Sequence, residues 1–183
     1  EVRQGDLVGN IMRAFEFETR YQLAKVDKPT DPDEWFTLPQ VVNAFYSAQH
    51  NSITFPAAVL QPPAFDVLAD DAANYGAIGA VIGHEMGHGF DDQGRRADAT
   101  GKLRDWWTDA DAKEYERRVA GLVEQYSGYE GLPGMKVNGQ LTLGENIGDL
   151  NGITIALRAY HRALNGKPAP VRDGFTGEQR FFL

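Results

Sequence analysis

Residues 84–88 read His-Glu-Met-Gly-His, and no other five positions restrict this chain as tightly. On an α-helix the two imidazoles are separated by about 400° of rotation, so they project from one face and can share a single metal ion. Glu85 lies too close in sequence to join them as a ligand from that face. It can instead reach a water at the metal and act as general base. The pattern predicts a helix that carries a zinc site with hydrolytic chemistry.

The helix is expected from Tyr75 to Phe90, with Ile78, Val81, Ile82 and Met86 apolar on one side. Its glycines at 76, 79, 83, 87 and 89 weaken it, each by about 1 kcal/mol relative to alanine in an exposed interior, so packing must hold it. Glycines three and four apart suit close approach by another helix or a sheet. The third ligand is sought in Leu143–Leu150, where Glu145 and Asp149 stand at i and i+4 on a second predicted helix. A carboxylate from that face completes a His, His, Glu site with one position left for water, and Asp149 can accept the free N–H of a ligand histidine. The longer pattern with a third histidine fails, because the positions that need His and Gly hold Gly94 and Asp91.

Five blocks then resemble the neprilysin and endothelin-converting-enzyme family of zinc metallopeptidases, among the thermolysin-like zincins (gluzincins). They are Val42–Tyr46, Ile53–Pro63, Gly83–Asp92, Gly144–Asp149 and Asp173–Phe182, in order over most of the chain. The resemblance implies an α+β catalytic domain with a small mixed sheet, an edge strand along the cleft and two active-site helices. It implies one zinc ion held by His84, His88 and Glu145, with two catalytic residues: Glu85 as base, and Asp149 as an acid behind the metal that serves as a proton donor. Asn43 and Ala44 match positions that hydrogen-bond the substrate backbone, and Val59, Ala64, Ala80 and Val81 match a pocket for a bulky apolar residue after the cut. The family also carries a histidine and an arginine beyond the block ending at Phe182, and a helical region that closes the cleft. Residues 1–183 are therefore expected to be the catalytic segment of a longer chain, its upstream region and final segment lying outside them.

A net charge of −8 argues against nucleic acid and anionic membrane surfaces as partners. No uncharged stretch reaches the roughly 18 residues a membrane span needs. The absence of cysteine excludes disulfides and points to a bacterial member, without fixing the compartment; an exported or cell-envelope location is preferred only slightly to the cytoplasm. One domain is the default at this length.

The remaining pattern predicts a helix from about Asp6 to Val26 with Leu7, Ile11, Ala14, Phe15 and Tyr21 along one stripe. Strands Val41–Tyr46 and Ser52–Phe55 flank a hairpin loop, and prolines 56, 62 and 63 bar regular structure before the zinc helix. Thr108 caps a helix to about Tyr126 with Tyr115, Val119, Leu122 and Val123 inward, Asn138-Gly139 marks a tight turn, and the Glu145 helix runs to Leu164. His50 and His161 read as surface histidines, Arg117-Arg118 as a solvated helix face, and Asp91-Asp92 either orients His88 or binds Arg95 and Arg96. The reading is a zinc-dependent endopeptidase that cleaves short peptides before bulky hydrophobic residues. The alternative, a noncatalytic zinc-containing peptide-binding module, has no use for a base at Glu85.

Overall fold

A computed structural model describes all of residues 1–183, which form two compact units, 1–34 and 35–183. The first is helix α1 (Leu7–Leu23) and the turns after it. Asp6 caps α1 by accepting from the Gly9 N–H at 3.0 Å and pairs with Arg13 at 3.0 Å. The helix stops three residues short of its expected end, where turns lead to Asp27 at φ 65° ahead of Pro29. None of its residues is buried, so the apolar stripe through Leu7, Ile11 and Phe15 is on the surface.

The second unit opens on the expected hairpin, β1 (Phe45–Ser47) against β2 (Ser52–Thr54), antiparallel with Tyr46 opposite Ile53. Pairing begins at Phe45, so residues 41–44 precede the ladder instead of joining it. Strands β3 (Glu130–Leu132) and β4 (Met135–Lys136) form a second antiparallel pair, so the small sheet component of the α+β fold consists of two two-stranded ribbons. The β3–β4 turn lies at Pro133-Gly134, where Gly134 has φ 75°. Asn138-Gly139 serves differently: the Asn138 side chain accepts from Leu141 N–H at 3.0 Å and its carbonyl from Thr142 N–H at 3.1 Å, turning the chain into α5.

The segment around the His-Glu-Met-Gly-His motif is helical over a longer span than the pattern indicates. Helix α2 (Asp71–Asn74), capped by Asp70, runs through a π turn (Tyr75–Gly79) into α3 (Ala80–Gly87) and a 3-10 turn (His88–Phe90). Helix α4 spans Asp109–Gly128 with the Thr108 cap in place, α5 spans Leu143–Ala163, and α6 is Gly177–Phe181. The inward face expected of α4 is half-buried. Arg117 and Arg118 both pair with Glu114 on its exposed face. Helix α6, absent from the sequence reading, is stabilised by a reciprocal capping box between Thr176 and Gln179.

The core of this unit joins α2, α5 and α6 through Ala72, Ala156, Tyr160 and Phe181. Beside it Arg180 of α6 reaches Asp70 at 2.5 Å, tying the C-terminal helix to the cap of α2. His161 is partly exposed and 3.3 Å from Glu178. His50 is not a free surface histidine: its Nδ1 lies 2.8 Å from Ser47 Oγ, and its Nε2 is buried without a partner.

Candidate metal centre

Helices α3 and α5 meet through glycine. A Cβ added to Gly83 would stand 2.9 Å from the Gly152 Cα, and one added to Gly152 would stand 2.3 Å from the Ala80 carbonyl oxygen. Backbone lies on backbone, which the glycine spacing anticipated. The apolar side chains Ile82 and Met86 do not make this contact and remain 39% and 50% exposed. The close approach sets His84 and His88 opposite Glu145 and Asp149.

The two imidazoles stand 4.6 Å apart at 86°. His84 Nδ1 is 2.8 Å from Asp149 Oδ1, and His88 Nδ1 is 2.8 Å from Asp91 Oδ2. A carboxylate only accepts, so each Nδ1 carries the proton and each Nε2 presents its lone pair. Both lone-pair nitrogens face one residue: His84 Nε2 is 3.3 Å from Glu145 Oε2, and His88 Nε2 is 3.9 Å from Glu145 Oε1. Donor atoms of His84, Glu85 and His88 also lie within 4.8 Å of one another. Two imidazoles of fixed tautomer facing a carboxylate are the donor chemistry of a zinc site that keeps a position open, and the residues fit that ion.

Asp91 resolves the alternatives left at 91–92. Buried at 6% exposure, it accepts from His88 and from the Gln93 and Gly94 N–H groups at 2.8 and 2.7 Å. Burial alone would raise its pKa, but these hydrogen bonds hold it below the usual carboxylate value. Its bond to His88 lifts that imidazole above its ordinary value. Asp92 instead accepts from Gln93 Nε2, and Arg95 lies over the Trp107 and Tyr115 rings. The sequence signal for Asp91 was its position three residues after His88, one turn along the helix.

Glu85 differs from Glu145 in its surroundings. It is 6% exposed, whereas the Glu145 side chain is 71% exposed. Burial pushes the Glu85 carboxyl up, against the pull of His88 and His84 and of the Tyr46 backbone N–H. Tyr46 had not been singled out in the sequence; it sits two residues beyond Ala44, where the hairpin begins.

Asn43, Ala44, His84, Glu85, His88 and Glu145 line a single cavity of about 740 Å³, together with Asp91 and Arg96. Asp149 stands outside its wall, behind His84. Val59, Ala64, Ala80 and Val81 do not line this cavity either. Val59 is buried, Ala64 accepts from the Ile78 N–H at 3.0 Å, and Ala80 packs against the core.

The sequence model of peptidase family M13 matches residues 43–183. Neprilysin-11 of Caenorhabditis elegans is 46% identical over 88% of this chain and 20% of its own length. Neprilysin of Oryctolagus cuniculus is 44% identical over 99% and 25%. The solved structure of Mycobacterium tuberculosis zinc metalloprotease Zmp1 in complex with inhibitor is 56% identical, superposes with a TM-score of 0.91, and is covered over 97% of this chain and 28% of its own. The chain thus spans a fifth to a quarter of the length of the curated relatives described, and its fold is that of the corresponding part of these metalloproteases.

Proposed function

The chain belongs to peptidase family M13, and from that premise we propose that its cavity is the active site of a zinc-dependent endopeptidase acting on short peptides. The observation that carries the reading is the convergence of both histidine Nε2 atoms on Glu145, each ring held from behind by its own carboxylate. In this reading His84, His88 and Glu145 hold the ion. Bound there, zinc supplies Lewis acidity for the attack of water on a peptide carbonyl.

Glu85 takes the proton from the attacking water, the C–N bond breaks, and the same carboxyl delivers that proton to the leaving nitrogen. Its raised pKa suits both halves of the transfer, since a base useful near neutral pH must also return its proton. Asp149 keeps the His84 ring in its tautomer, and Asp91 does so for His88. Residues Asn43 and Ala44 precede the paired ladder of the hairpin and border the cavity, so a substrate can lie along them as an added strand.

The preference for a bulky apolar residue after the cut is proposed for Val59, Ala64, Ala80 and Val81. Val81 and Ala80 stand three and four residues before His84 on the zinc helix, which supports a site near the metal although neither lines the cavity itself. Closure of the open Glu145 side is assigned to the rest of the parent chain. The reading is tested in the full-length protein by removing metal with a chelator and restoring it with zinc. Loss and recovery of cleavage of a quenched fluorescent peptide are expected; cleavage that persists in metal-free protein would overturn it.

A further inference from the structure

We infer that Arg96 selects substrates by binding a carboxylate of the peptide, an inference that rests on the peptidase reading above. Arg96 is the one guanidinium or ammonium group in the cavity lining. Of the three carboxylates in that lining, Asp91 bonds His88, Glu145 faces both rings, and Glu85 is buried at 6% exposure; none pairs with Arg96. Of the arginines on this loop, Arg95 lies 4.8 Å from the Tyr115 ring and 5.5 Å from that of Trp107, and Arg104 pairs with Asp98 at 3.0 Å. Arg96 is exposed at the cavity wall and makes no side-chain hydrogen bond or ion pair, so its five donors are unspent.

The root of the side chain is fixed. Arg96 ends a 3-10 turn (Gly94–Arg96), its N–H donates to the Gln93 carbonyl at 3.1 Å, and its carbonyl accepts from the Arg104 N–H at 2.9 Å. The same turn is anchored by the Gly94 N–H on Asp91, the carboxylate that orients His88. The guanidinium therefore starts from a point held in register with the metal ligands, while the stem stays free to meet a ligand. A planar fork of donors matches a carboxylate, and bidentate pairing makes such contacts stronger than a point charge would. In a chain of net charge −8 this is the local feature that favours an acidic group in the cleft. That group is either a side-chain carboxylate or the C-terminal carboxylate of a short peptide.

The test uses the zinc-loaded full-length protein and peptides sharing one cleavage sequence. One is neutral and C-terminally amidated, a set carries single Glu substitutions with the amide kept, and one is neutral with a free C-terminus. The ratio of kcat/KM for each carboxylate peptide to that for the neutral amide is compared between wild type, Arg96→Ala and Arg96→Glu. The wild type is expected to favour one carboxylate peptide, by about threefold to tenfold for a part-exposed charge-assisted pair. Arg96→Ala should erase that ratio, and Arg96→Glu should invert it and favour a Lys peptide of the same register. The same order is expected in anisotropy titrations of labelled peptides on the Glu85→Gln background. Ratios that do not move between wild type and variants overturn the role of Arg96 alone. Failure of wild type to cleave any peptide overturns the peptidase reading and this inference with it.

Discussion

Gly148 of α5 lies so close under the first histidine that a Cβ on it would stand 2.8 Å from both Nδ1 and Cε1 of His84. The face of that imidazole is thus set by the backbone of the neighbouring helix, while Asp149, the next residue, accepts a hydrogen bond from its Nδ1–H at 2.8 Å. One helical segment fixes both the plane and the tautomer of the ring. Metal affinity and helix packing are coupled here, and substitutions that look remote from the chemistry should be read in the metal.

Gly148→Ala should push the His84 ring off Asp149 and cost about 1–3 kcal/mol through overpacking. Gly121→Ala on α4, where an added Cβ meets nothing within 4 Å, should instead be neutral or stabilising. Thermal unfolding with and without zinc, together with competitive zinc titration, separates the two. Equal zinc affinity in Gly148→Ala and wild type would show that the ring does not depend on this contact.

Asp91 and Asp149 play the same part for different histidines, yet their removal should differ. Loss of either is expected to weaken zinc about 10- to 100-fold. Asp91→Ala also strands the Gln93 and Gly94 N–H groups, buried at Gly94, at about 1–3 kcal/mol, whereas Asp149, with its side chain 64% exposed, leaves no such donors. Chemical denaturation of the metal-free variants checks this: Asp91→Ala should unfold at clearly lower denaturant than Asp149→Ala.

Stability should fall at acid pH through the Asp70–Arg180 pair, whose side chains are 11% and 13% exposed. Burial opposes ionisation of Asp70, but the Ala73 N–H and Arg180 outweigh it and hold the carboxyl below its ordinary value of 3.8. A depressed folded pKa means the contribution is present above about pH 4 and is lost as pH falls through the lower folded value. Asp70→Asn should lower the unfolding temperature at neutral pH, since it leaves Arg180 without its counter-charge, and the deficit should narrow toward pH 3. A deficit independent of pH would contradict this.

The metal centre was legible because its information is local. His84 and His88, and likewise Glu145 and Asp149, are i and i+4 pairs, and helix geometry alone puts each pair on one face. The glycine spacing likewise announced a close helix contact. The expected apolar stripe of Ile78, Val81, Ile82 and Met86 is buried at Ile78 but exposed at Ile82 and Met86: periodicity counts apolar side chains, while the contact with α5 is made by Gly83, Gly87 and Gly152, which have no side chain to count. Asn138-Gly139 does make the expected turn, but its kind was not legible. The same dipeptide serves a hairpin or, through its side-chain acceptor, a helix entry, and only tertiary context separates them. The start of α2 at Asp71 and the short α6 were missed because each spans about one turn, too brief to show a period.

The central claim is that Glu85 does the proton transfer and does not hold the metal. The most direct measurement is peptide turnover by Glu85→Gln in the full-length protein, beside its zinc content. The account predicts one zinc per chain and turnover reduced at least about 10²-fold, because the amide cannot accept the proton from water. Near-wild-type turnover with zinc in place would contradict it.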